Sequence, residues 1–326
     1  MKYRQLGKTG IFVSEIGFGA WGIGGGWGKQ DDQEAIRALR LAYERGVNFF
    51  DTALGYGNGH SEQLIGKEFK QERHKIIIAS KIPPKTYRWP VLDSEPLHET
   101  FPKDWIIECT EKSLKNLGTD YLDVQQLHAW ADSYTRLDEW RDAFETLKKA
   151  GKIRAYGVSV NDWDPYGGVN LVKAGLVDSV QVIYNIFEQR PAEALLPAAL
   201  EAGVGIIVRV PFEEGLLTGA LKPGTKFDPN DWRGEWLTEE RLVEADRRVQ
   251  ILKQYLSPEC PTLACLALKF ILSHPAVTTT IPGMRRTAHV EQNIIASDGK
   301  LLSKDLLEKL YQQAFVHGWK YPWSQA

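Results

Sequence analysis

Four residues with proton-handling side chains occur in succession along the chain, close to the ends of apolar stretches. Asp51, Lys81 and His128 each come directly after a short apolar run, and Tyr56 lies in the loop that follows Asp51. Such runs are typical of buried parallel strands, whose carboxyl ends meet at one rim. One strand end of this kind would mean little, but three in chain order indicate a site. A carboxylate, an ammonium, a phenol and an imidazole gathered there could protonate a carbonyl oxygen.

The four side chains can divide this chemistry between them. A phenol alone titrates near ~10, too high for an effective acid at neutral pH, and a neighbouring ammonium lowers that pKa. We therefore predict Tyr56 as the proton donor, Lys81 as the group that tunes its pKa, and Asp51 as the anchor of Lys81. His128 would orient the carbonyl oxygen, because negative charge grows there when a hydride is accepted. No side chain delivers a hydride, so this chemistry requires a cofactor.

The elements that must position these groups alternate between strand and helix along the chain. Apolar runs of strand length are followed by stretches whose apolar residues recur at helical spacing. The predicted strands lie at 15–19, 47–51, 76–80, 122–127, 155–159, 179–184, 205–209 and 277–281. The predicted helices lie at 33–44, 63–69, 104–117, 137–150, 169–174, 192–202, 263–272 and 290–296. Eight such units predict an α/β fold, a (β/α)8 TIM barrel with its functional loops at the carboxyl ends of the strands.

We expect residues 1–326 to form one (β/α)8 domain, because no linker, low-complexity segment or block of charge divides the chain. Short segments at 3–6 and 12–13, separated by a turn at 7–10, predict an N-terminal β-hairpin ahead of the barrel. Two connections, 82–103 and 210–246, are longer than usual. Both leave carboxyl ends of strands, so we expect both to cover a ligand at the rim that carries the four candidate residues.

A glycine-rich segment competes with the barrel interpretation. Residues 17–22 fit the Gly-x-Gly-x-x-Gly pattern of a dinucleotide-binding turn that directly follows a strand. That turn needs a helix to open at its third glycine, whereas further glycines follow within residues 23–28. Asp51 also lies 51 − 17 = 34 residues after the first glycine, instead of about 20. We therefore expect a flexible active-site loop here, with a Rossmann-type dehydrogenase as the alternative.

Composition and charge exclude several classes of function. The 326 residues carry a net charge of −2 with basic and acidic residues interspersed, so neither nucleic acid nor an anionic membrane is expected as a partner. Cys109, Cys260 and Cys265 form no Cys-x-x-Cys pair, so neither a disulfide framework nor a metal site is predicted. No apolar stretch reaches the length of a membrane span and the N-terminus lacks an apolar signal region, so we expect a cytoplasmic protein.

The candidate site also resembles that of a known family. Asp-Thr-Ala-x-x-Tyr-Gly at 51–57, the strand-end Lys81 and the strand-end His128 resemble the catalytic tetrad of the aldo-keto reductases. The resemblance extends from residues 3–7 to residues 281–283 and beyond. It implies the (β/α)8 barrel, a small-molecule carbonyl substrate reduced to an alcohol, and a nicotinamide dinucleotide lying across the carboxyl rim.

The resemblance also assigns residues to the nicotinamide and pyrophosphate of that cofactor. Ser159 and Gln181 match positions that hold the carboxamide and pack beside the ring, and Asn161 stands near the place of a familiar asparagine. Arg209 replaces the aromatic residue that members commonly place under the ring, although a guanidinium can also stack on a flat ring. Residues 216–219 resemble the loop over the pyrophosphate. The residues expected to bind here are Trp21, Ser159, Asn161, Gln181, Arg209, Pro211, Leu216 and Thr218.

Residues 281–286, ahead of a helix, resemble the segment that binds the adenosine phosphate. Arg285 matches a basic position that meets the 2′-phosphate in relatives with glycine after Ile-Pro, and Arg286 adds charge. An anion at a helix N-terminus flanked by arginines is physically sensible. The familiar lysine is replaced by Gly283 and a later arginine by His289, so the resemblance implies NADPH/NADP+ and leaves NADH open. The residues expected to bind here are Gly283, Arg285, Arg286, Gln292 and Asn293.

Tryptophans are expected to shape the substrate pocket. Trp21 and Trp130 follow strands, which fixes their positions, and Trp89 lies in the first long loop. Trp232 and Trp236 lie in the second long loop and are equally well explained by ordinary loop packing. An apolar, aromatic mouth favours aldehydes and hydrophobic ketones over charged sugars.

A second function from another class is open at this point. Relatives of this fold serve as channel-associated regulatory subunits, and slow turnover caused by Arg209 would suit a redox sensor with weak reductase activity. The complete set of four candidate residues and the lack of a partner-binding extension favour the enzyme. The oligomeric state is left open: no amphipathic excess indicates an interface, and relatives of the resembled family are often monomers.

Overall fold

A computed structural model describes residues 1–28 and 30–325 of the chain. Within this part, ten β-strands and twelve α-helices follow one another. The strands are β1 (Tyr3–Gln5), β2 (Phe12–Ser14), β3 (Phe18–Gly19), β4 (Phe49–Asp51), β5 (Ile77–Ile82), β6 (Leu122–Leu127), β7 (Ile153–Ser159), β8 (Ser179–Ile183), β9 (Gly205–Arg209) and β10 (Val277–Thr280). The helices are α1 (Asp32–Glu44), α2 (His60–Glu68), α3 (Leu97–Thr100), α4 (Lys103–Leu117), α5 (Glu139–Lys149), α6 (Val169–Lys173), α7 (Leu195–Ala202), α8 (Arg233–Trp236), α9 (Glu239–Lys253), α10 (Leu263–Leu272), α11 (Thr287–Ile294) and α12 (Lys304–Tyr311). Among these helices none is long and apolar enough to cross a membrane.

Eight parallel strands form the barrel that the sequence predicts. They neighbour one another in chain order from β3 to β10, and all their pairings are parallel. Gly17 N donates to Thr280 O at 2.8 Å and Gly19 N to Pro282 O at 3.0 Å, which connects the first strand of the ring to its last. The prediction of a (β/α)8 barrel is confirmed. The Rossmann alternative is wrong, because a doubly wound sheet keeps two free edges.

The glycine-rich segment helps to close the barrel between β3 and β10, and it does not form a dinucleotide-binding turn. A Cβ atom on Gly19 would lie 2.4 Å from Ile281 O, so only glycine lets β3 approach the backbone beyond β10 so closely. A single 3-10 turn follows at Gly22–Gly24, and the loop then runs to Trp27. Trp27 pairs with Asp231 through an isolated β-bridge, so the loops after β3 and β9 meet across the rim.

The barrel has two apolar cores, one inside it and one between the strands and the helices, and neither fills the carboxyl rim. The N-terminal hairpin of β1 and β2, present as predicted, contributes Leu6 and Val13 to the small core inside the barrel. A larger core lies between the strands and the surrounding helices. Burial of each large aliphatic or aromatic side chain stabilises the fold by roughly 1.5–3 kcal/mol. Since the hairpin covers the amino end, a ligand has access from the opposite end of the barrel.

One long helix, α9, is missing from the sequence prediction. Thr238 accepts a hydrogen bond from Arg241 N and caps its first turn. Leu242, Ala245 and Val249 lie on its buried face at helical spacing. The sequence prediction treated 210–246 as a loop, although α9 begins at Glu239. The helix was missed because glutamates and arginines between its few apolar residues weaken the helical spacing.

Candidate active site

Lys81 is the centre of a buried polar cluster at the carboxyl rim. It lies on β5 and is completely buried. Its ammonium donates a hydrogen bond to Asp51 Oδ1, to Thr52 O at 2.8 Å and to Tyr56 Oη at 3.3 Å. The strand-end carboxylate, the strand-end ammonium and the loop phenol are thus joined through one nitrogen atom.

Two glutamines hold the second oxygen of Asp51. Gln181 Nε2 lies 2.9 Å from Asp51 Oδ2, and Gln126 Nε2 lies 3.4 Å from it. A carboxylate that is 1% exposed needs such donors, because burial without them costs several kcal/mol. Gln181 was expected at the cofactor, and Gln126 was not expected in the site. The signal for Gln126 was its polar amide inside a strand that is buried along its whole length.

Burial and charge oppose each other at Tyr56 and Lys81. Burial raises the pKa of Tyr56, and the Lys81 ammonium offsets only part of that rise. Burial lowers the pKa of Lys81, but the Asp51 carboxylate and the Tyr56 phenol outweigh it, so the pKa of Lys81 is raised. Lys81 acts on Tyr56 in the predicted direction, yet the net shift is upward because the phenol is desolvated. At neutral pH the cluster holds a protonated phenol beside a charged ammonium.

His128 completes the set of four in its neutral form. Its ring centroid lies 5.6 Å from that of Tyr56 and 5.9 Å from that of Trp89. Burial, with the cations of Lys81 and Arg209 adding to it, holds the pKa of His128 well below its usual range. A neutral imidazole keeps one N–H, which can orient a carbonyl oxygen without adding a charge.

A cleft of about 830 Å³ opens over these groups, which is ample for a dinucleotide's reactive end together with a small substrate. Asp51, Tyr56 and His128 line it, and Lys81 reaches it only through them. Trp89 of the predicted substrate pocket also lines it. The predicted cofactor residues that line the cleft are Trp21, Ser159, Asn161, Gln181, Arg209, Pro211, Thr218, Gly283, Arg285, Gln292 and Asn293.

Trp130 does not reach the cleft, so the prediction that it forms a pocket wall is wrong. It is completely buried, and its ring centroid lies 5.8 Å from that of Tyr134 and 5.2 Å from that of Trp140. Trp140 belongs to α5, which packs outside the barrel. Two residues beyond His128 the chain has already turned from the rim toward the helices, and the indole fills the core there.

Leu216 and Arg286 also lie outside the cleft. Leu216 is 1% exposed and packs in an apolar cluster with Trp236 and Tyr321, so its side chain is not available to a cofactor. Arg286 is exposed and has extended backbone angles at the start of α11. Arg285 lines the cleft, whereas Arg286 is not among the residues that line it.

Asn161 lines the cleft with its amide already engaged. Its Nδ2 donates to Val91 O at 2.8 Å and to Trp130 O at 2.9 Å, and its Oδ1 accepts from Val91 N at 3.1 Å. Both donors of the amide are therefore used to hold the loops after β5 and β6. The expectation that Asn161 replaces the familiar cofactor-binding asparagine loses its support, and Ser159 is left as the hydroxyl at this position.

The far end of the cleft is basic. Arg285 Nη1 donates to Trp27 O at 2.8 Å, and the Arg233 guanidinium lies 5.2 Å from the Trp27 ring centroid. Burial first, and then the charges of Arg286 and Arg233, lower the pKa of Arg285. An anion bound beside these guanidinium groups would relieve their mutual repulsion.

Two details show how a nucleotide would fit this end. Asn293 Nδ2 is buried without a partner in the part of the chain that the structure describes, so it is free to donate to a ligand. The N-terminus of α11 is occupied instead, because Glu34 Oε1 accepts from Thr287 N at 2.9 Å and from Thr287 Oγ1 at 3.0 Å. The predicted anion site at this helix N-terminus is therefore corrected: the arginine side chains are the groups left for a phosphate.

Several residues of the cleft were not predicted from the sequence. They come from loops and from the C-terminal segment, whose path depends on contacts between distant parts of the chain. Tryptophan and tyrosine in long loops were the available signal, and Asp162 gave none. The unpredicted lining residues used below are Trp27, Tyr87, Asp162, Glu214, Arg233, Tyr321 and Trp323.

Comparisons with known proteins agree with this geometry. Residues 15–312 match the model of the Aldo/keto reductase family. The chain is 30% identical to the NADH-specific methylglyoxal reductase of Escherichia coli (strain K12), with 94% of this chain and 96% of that protein covered. It is also 30% identical to a probable voltage-gated potassium channel subunit beta of Arabidopsis thaliana, with 96% of each covered. The holo form of an aldo-keto reductase from Bacillus halodurans superimposes with a TM-score of 0.76 at 30% identity, over 96% of both chains. The chain therefore belongs to the aldo/keto reductase family of oxidoreductases.

Proposed function

We propose that this protein, acting as one domain, is an NADPH-dependent carbonyl reductase that converts aldehydes and ketones to alcohols, with Tyr56 as the proton donor. The observation that carries the proposal is the position of Lys81, whose ammonium bonds both Asp51 and Tyr56 below the cleft. Burying an ammonium costs several kcal/mol, and a packed strand end has no need of one. Its contact with a phenol that lines a cleft supports a role in proton transfer.

Proton transfer in this proposal runs from Tyr56 Oη to the carbonyl oxygen. The raised pKa keeps Tyr56 protonated at neutral pH, so a proton is present to be donated. The charged Lys81, held by Asp51, stabilises the phenolate that remains after transfer. The neutral His128 donates an N–H to the same oxygen and stabilises the negative charge growing on it. A bound nicotinamide supplies the hydride, which no side chain can provide.

The preference for NADPH rests on the arginines at the far end of the cleft. Arg285 lines the cleft under repulsion from Arg286 and Arg233, and a 2′-phosphate would offset that repulsion. The Glu34 carboxylate at the start of α11 acts against the preference. The Escherichia coli relative is named as NADH-specific. NADH is therefore the alternative, and titration with both dinucleotides decides between them.

The walls of the cleft favour apolar carbonyl substrates. Trp21, Tyr87, Trp89 and Trp323 line the cleft, and the ring centroids of Trp21 and Tyr56 lie 6.4 Å apart. Flat aromatic side chains around the proton donor bind apolar groups by burial and stacking. Aromatic aldehydes and hydrophobic ketones are accordingly the proposed substrate class.

Spectrophotometric measurement of NADPH oxidation with a panel of aromatic and aliphatic aldehydes tests the proposal. Wild-type protein should turn over, and Tyr56→Phe should lose at least about 10²–10⁴-fold in kcat while its Kd for NADPH stays close to wild type. Tyr43→Phe, which removes a phenol on α1, is the matched control and should keep its activity. Retention of most of the rate in Tyr56→Phe would remove Tyr56 as the donor.

A cofactor-binding regulatory subunit is the second candidate, because the Arabidopsis thaliana relative is named as a channel subunit. Such a protein would bind the dinucleotide in the same cleft and reduce aldehydes only slowly. Tight NADPH binding combined with the absence of steady turnover over the whole panel would favour this candidate. Steady turnover that depends on Tyr56 would exclude it as the main function.

A further inference from the structure

Arg209 places a positive charge inside the cleft, next to the reacting groups. It closes β9, and its side chain is 17% exposed. One arm of the guanidinium lies 2.8 Å from Asp162 Oδ1, another donates to Val160 O at 3.0 Å, and Nε is buried without a partner in the described part of the chain. Its charge contributes to lowering the pKa of His128, so it acts on the reaction centre itself.

Asp162 is the acidic group that directly offsets this charge. The two neighbouring carboxylates of the loop after β9 are engaged elsewhere. Glu213 accepts from Asn185 Nδ2 at 2.7 Å and contacts His317 at 2.8 Å. Glu214 accepts from Tyr321 Oη at 2.9 Å, and burial raises the pKa of Glu214 to about 7, so it is only partly charged at neutral pH. Neither forms an ion pair with Arg209, whereas Asp162 does so at 2.8 Å.

The positive charge of Arg209 would affect binding of the oxidised and the reduced nicotinamide differently. The oxidised ring carries a positive charge that the reduced ring lacks. A hydride donor that reaches a carbonyl bonded to Tyr56 must place its ring in the cleft that Arg209 also lines. Arg209 is close enough to Tyr56 and His128 for its charge to act toward a lower pKa of both. An uncompensated guanidinium would therefore repel the oxidised form and leave the reduced form largely unaffected.

We propose that Asp162 is a positioning residue that holds Arg209 and neutralises its charge, so that the cleft accepts the oxidised, cationic nicotinamide as well as the reduced, neutral one. This inference rests on the proposed function, because it requires a nicotinamide cofactor in the cleft. Asp162 sets the ratio of the two affinities and so the ease with which the oxidised product of each cycle is held or released.

Asp162 also contacts the C-terminal segment, which provides a control. Trp323 Nε1 donates to Asp162 Oδ2 at 3.1 Å. Replacing Trp323 with Phe removes this hydrogen bond and keeps the carboxylate, whereas replacing Asp162 with Asn removes the charge. Loosening of the segment is measurable in both variants, because trypsin can cleave after the exposed Lys320 and release a fragment detected by mass.

Fluorescence titration of NADP+ and NADPH into wild type, Asp162→Asn, Trp323→Phe and the double variant Asp162→Asn/Arg209→Gln tests the inference. In Asp162→Asn the ratio Kd(NADP+)/Kd(NADPH) should rise at least about tenfold, as expected for one uncompensated nearby charge. In Trp323→Phe the ratio should change far less than in Asp162→Asn, because phenylalanine keeps an aromatic ring in the cleft wall and the Asp162 carboxylate keeps its charge, although Lys320 is cleaved faster. The double variant should return the ratio toward wild type, because the repelling charge is gone.

An unchanged ratio in Asp162→Asn, or an equal rise in Trp323→Phe, would overturn the inference. If Asp162→Asn does not fold, Arg209→Gln alone serves instead, and it should shift the ratio toward the oxidised form or contradict the proposal. Wild-type protein that binds both dinucleotides, with a ratio insensitive to these changes, contradicts only the role of Asp162. Wild-type protein that binds neither dinucleotide removes the proposed function and this inference with it.

Discussion

Gln181 Nε2 lies 2.9 Å from Asp51 Oδ2, while the Lys81 ammonium bonds Asp51 Oδ1. The carboxylate is therefore fixed from both sides, by a charge on one oxygen and an amide on the other. Since Lys81 also bonds Tyr56, the Gln181 amide on β8 helps to orient the phenol through three successive hydrogen bonds. In the proposed mechanism Gln181 is thus a positioning residue in addition to its place beside the cofactor.

Replacing Gln181 with Leu should lower kcat for aldehyde reduction about tenfold, because hydrogen bonds to charged groups contribute about 1.5–3 kcal/mol. Gln126→Leu is the matched comparison, since its amide lies 3.4 Å from the same oxygen and should have a smaller effect. Steady-state kinetics and NADPH titration of both variants check this. A loss that appears only in the Kd for NADPH would place Gln181 at the cofactor alone.

Lys81→Met should lower the rate of reduction by about 10²-fold or more and move the alkaline limb of its pH profile upward. Burial raises the pKa of Tyr56, and Lys81 is the cation that opposes this rise, so its removal raises the pKa of Tyr56 further. The donor then stays protonated to higher pH but gives up its proton less readily. The measurement is kcat against pH for the variant, with Lys67→Met on the exposed face of α2 as control. An unchanged pH profile would mean that Lys81 does not affect the pKa of Tyr56.

The positions of the four candidate residues were predictable because strand ends in a barrel are fixed by the fold itself. Asp51, Lys81 and His128 follow apolar runs whose register puts them on one rim, and Tyr56 follows in a short loop. Trp130 shows how far that logic extends. Trp130 lies only two residues after His128, but its direction depends on packing against Trp140 of α5. The spacing of apolar residues along the chain does not predict such a contact.

Residues in the long loops were beyond prediction for a related reason. Trp27 reaches the cleft because its backbone pairs with Asp231, far away in the sequence. Asp162 matters because it meets Arg209 and the C-terminal Trp323. Such contacts join segments whose relative positions exist only after the barrel has formed. The pKa of Tyr56 was misjudged in the same way, since its burial depends on these loops.

Glu214 should make the fold less stable as pH rises. Burial raises the pKa of Glu214 from 4.5 to about 7, so the folded state binds a proton that the unfolded state releases between these values. The contribution to stability is present below about pH 4.5 and is lost progressively up to about pH 7. Glu214→Gln removes this titration and keeps an oxygen that can accept from Tyr321 Oη.

Thermal or urea unfolding of wild type and Glu214→Gln at about pH 5 and pH 8 measures the effect. The stability of the variant relative to wild type should improve by the order of 1 kcal/mol or more between the two pH values. Glu235→Gln, at an exposed position of α8, should show no such change. The same pH dependence in Glu214→Gln and wild type would mean that Glu214 is ionised throughout.

The choice of cofactor depends on Arg285 more than on Arg286. Arg285 lines the cleft, whereas Arg286 is exposed and lies outside it. Arg285→Ala should therefore weaken NADPH about tenfold or more, as expected for a charge-assisted contact of about 1.5–3 kcal/mol, and leave NADH nearly unchanged. Arg286→Ala should have a smaller effect, confined to low salt, because a more distant exposed charge is screened.

Titration of both dinucleotides into both variants at low and physiological salt checks these expectations, with Arg247→Ala on α9 as an exposed control. Glu34→Gln extends the test, because its carboxylate lies at the start of α11 and should oppose a 2′-phosphate. Removing that charge should strengthen NADPH relative to NADH. Equal weakening of NADPH and NADH in Arg285→Ala would place this arginine at the pyrophosphate, and the preference for NADPH would lose its structural support.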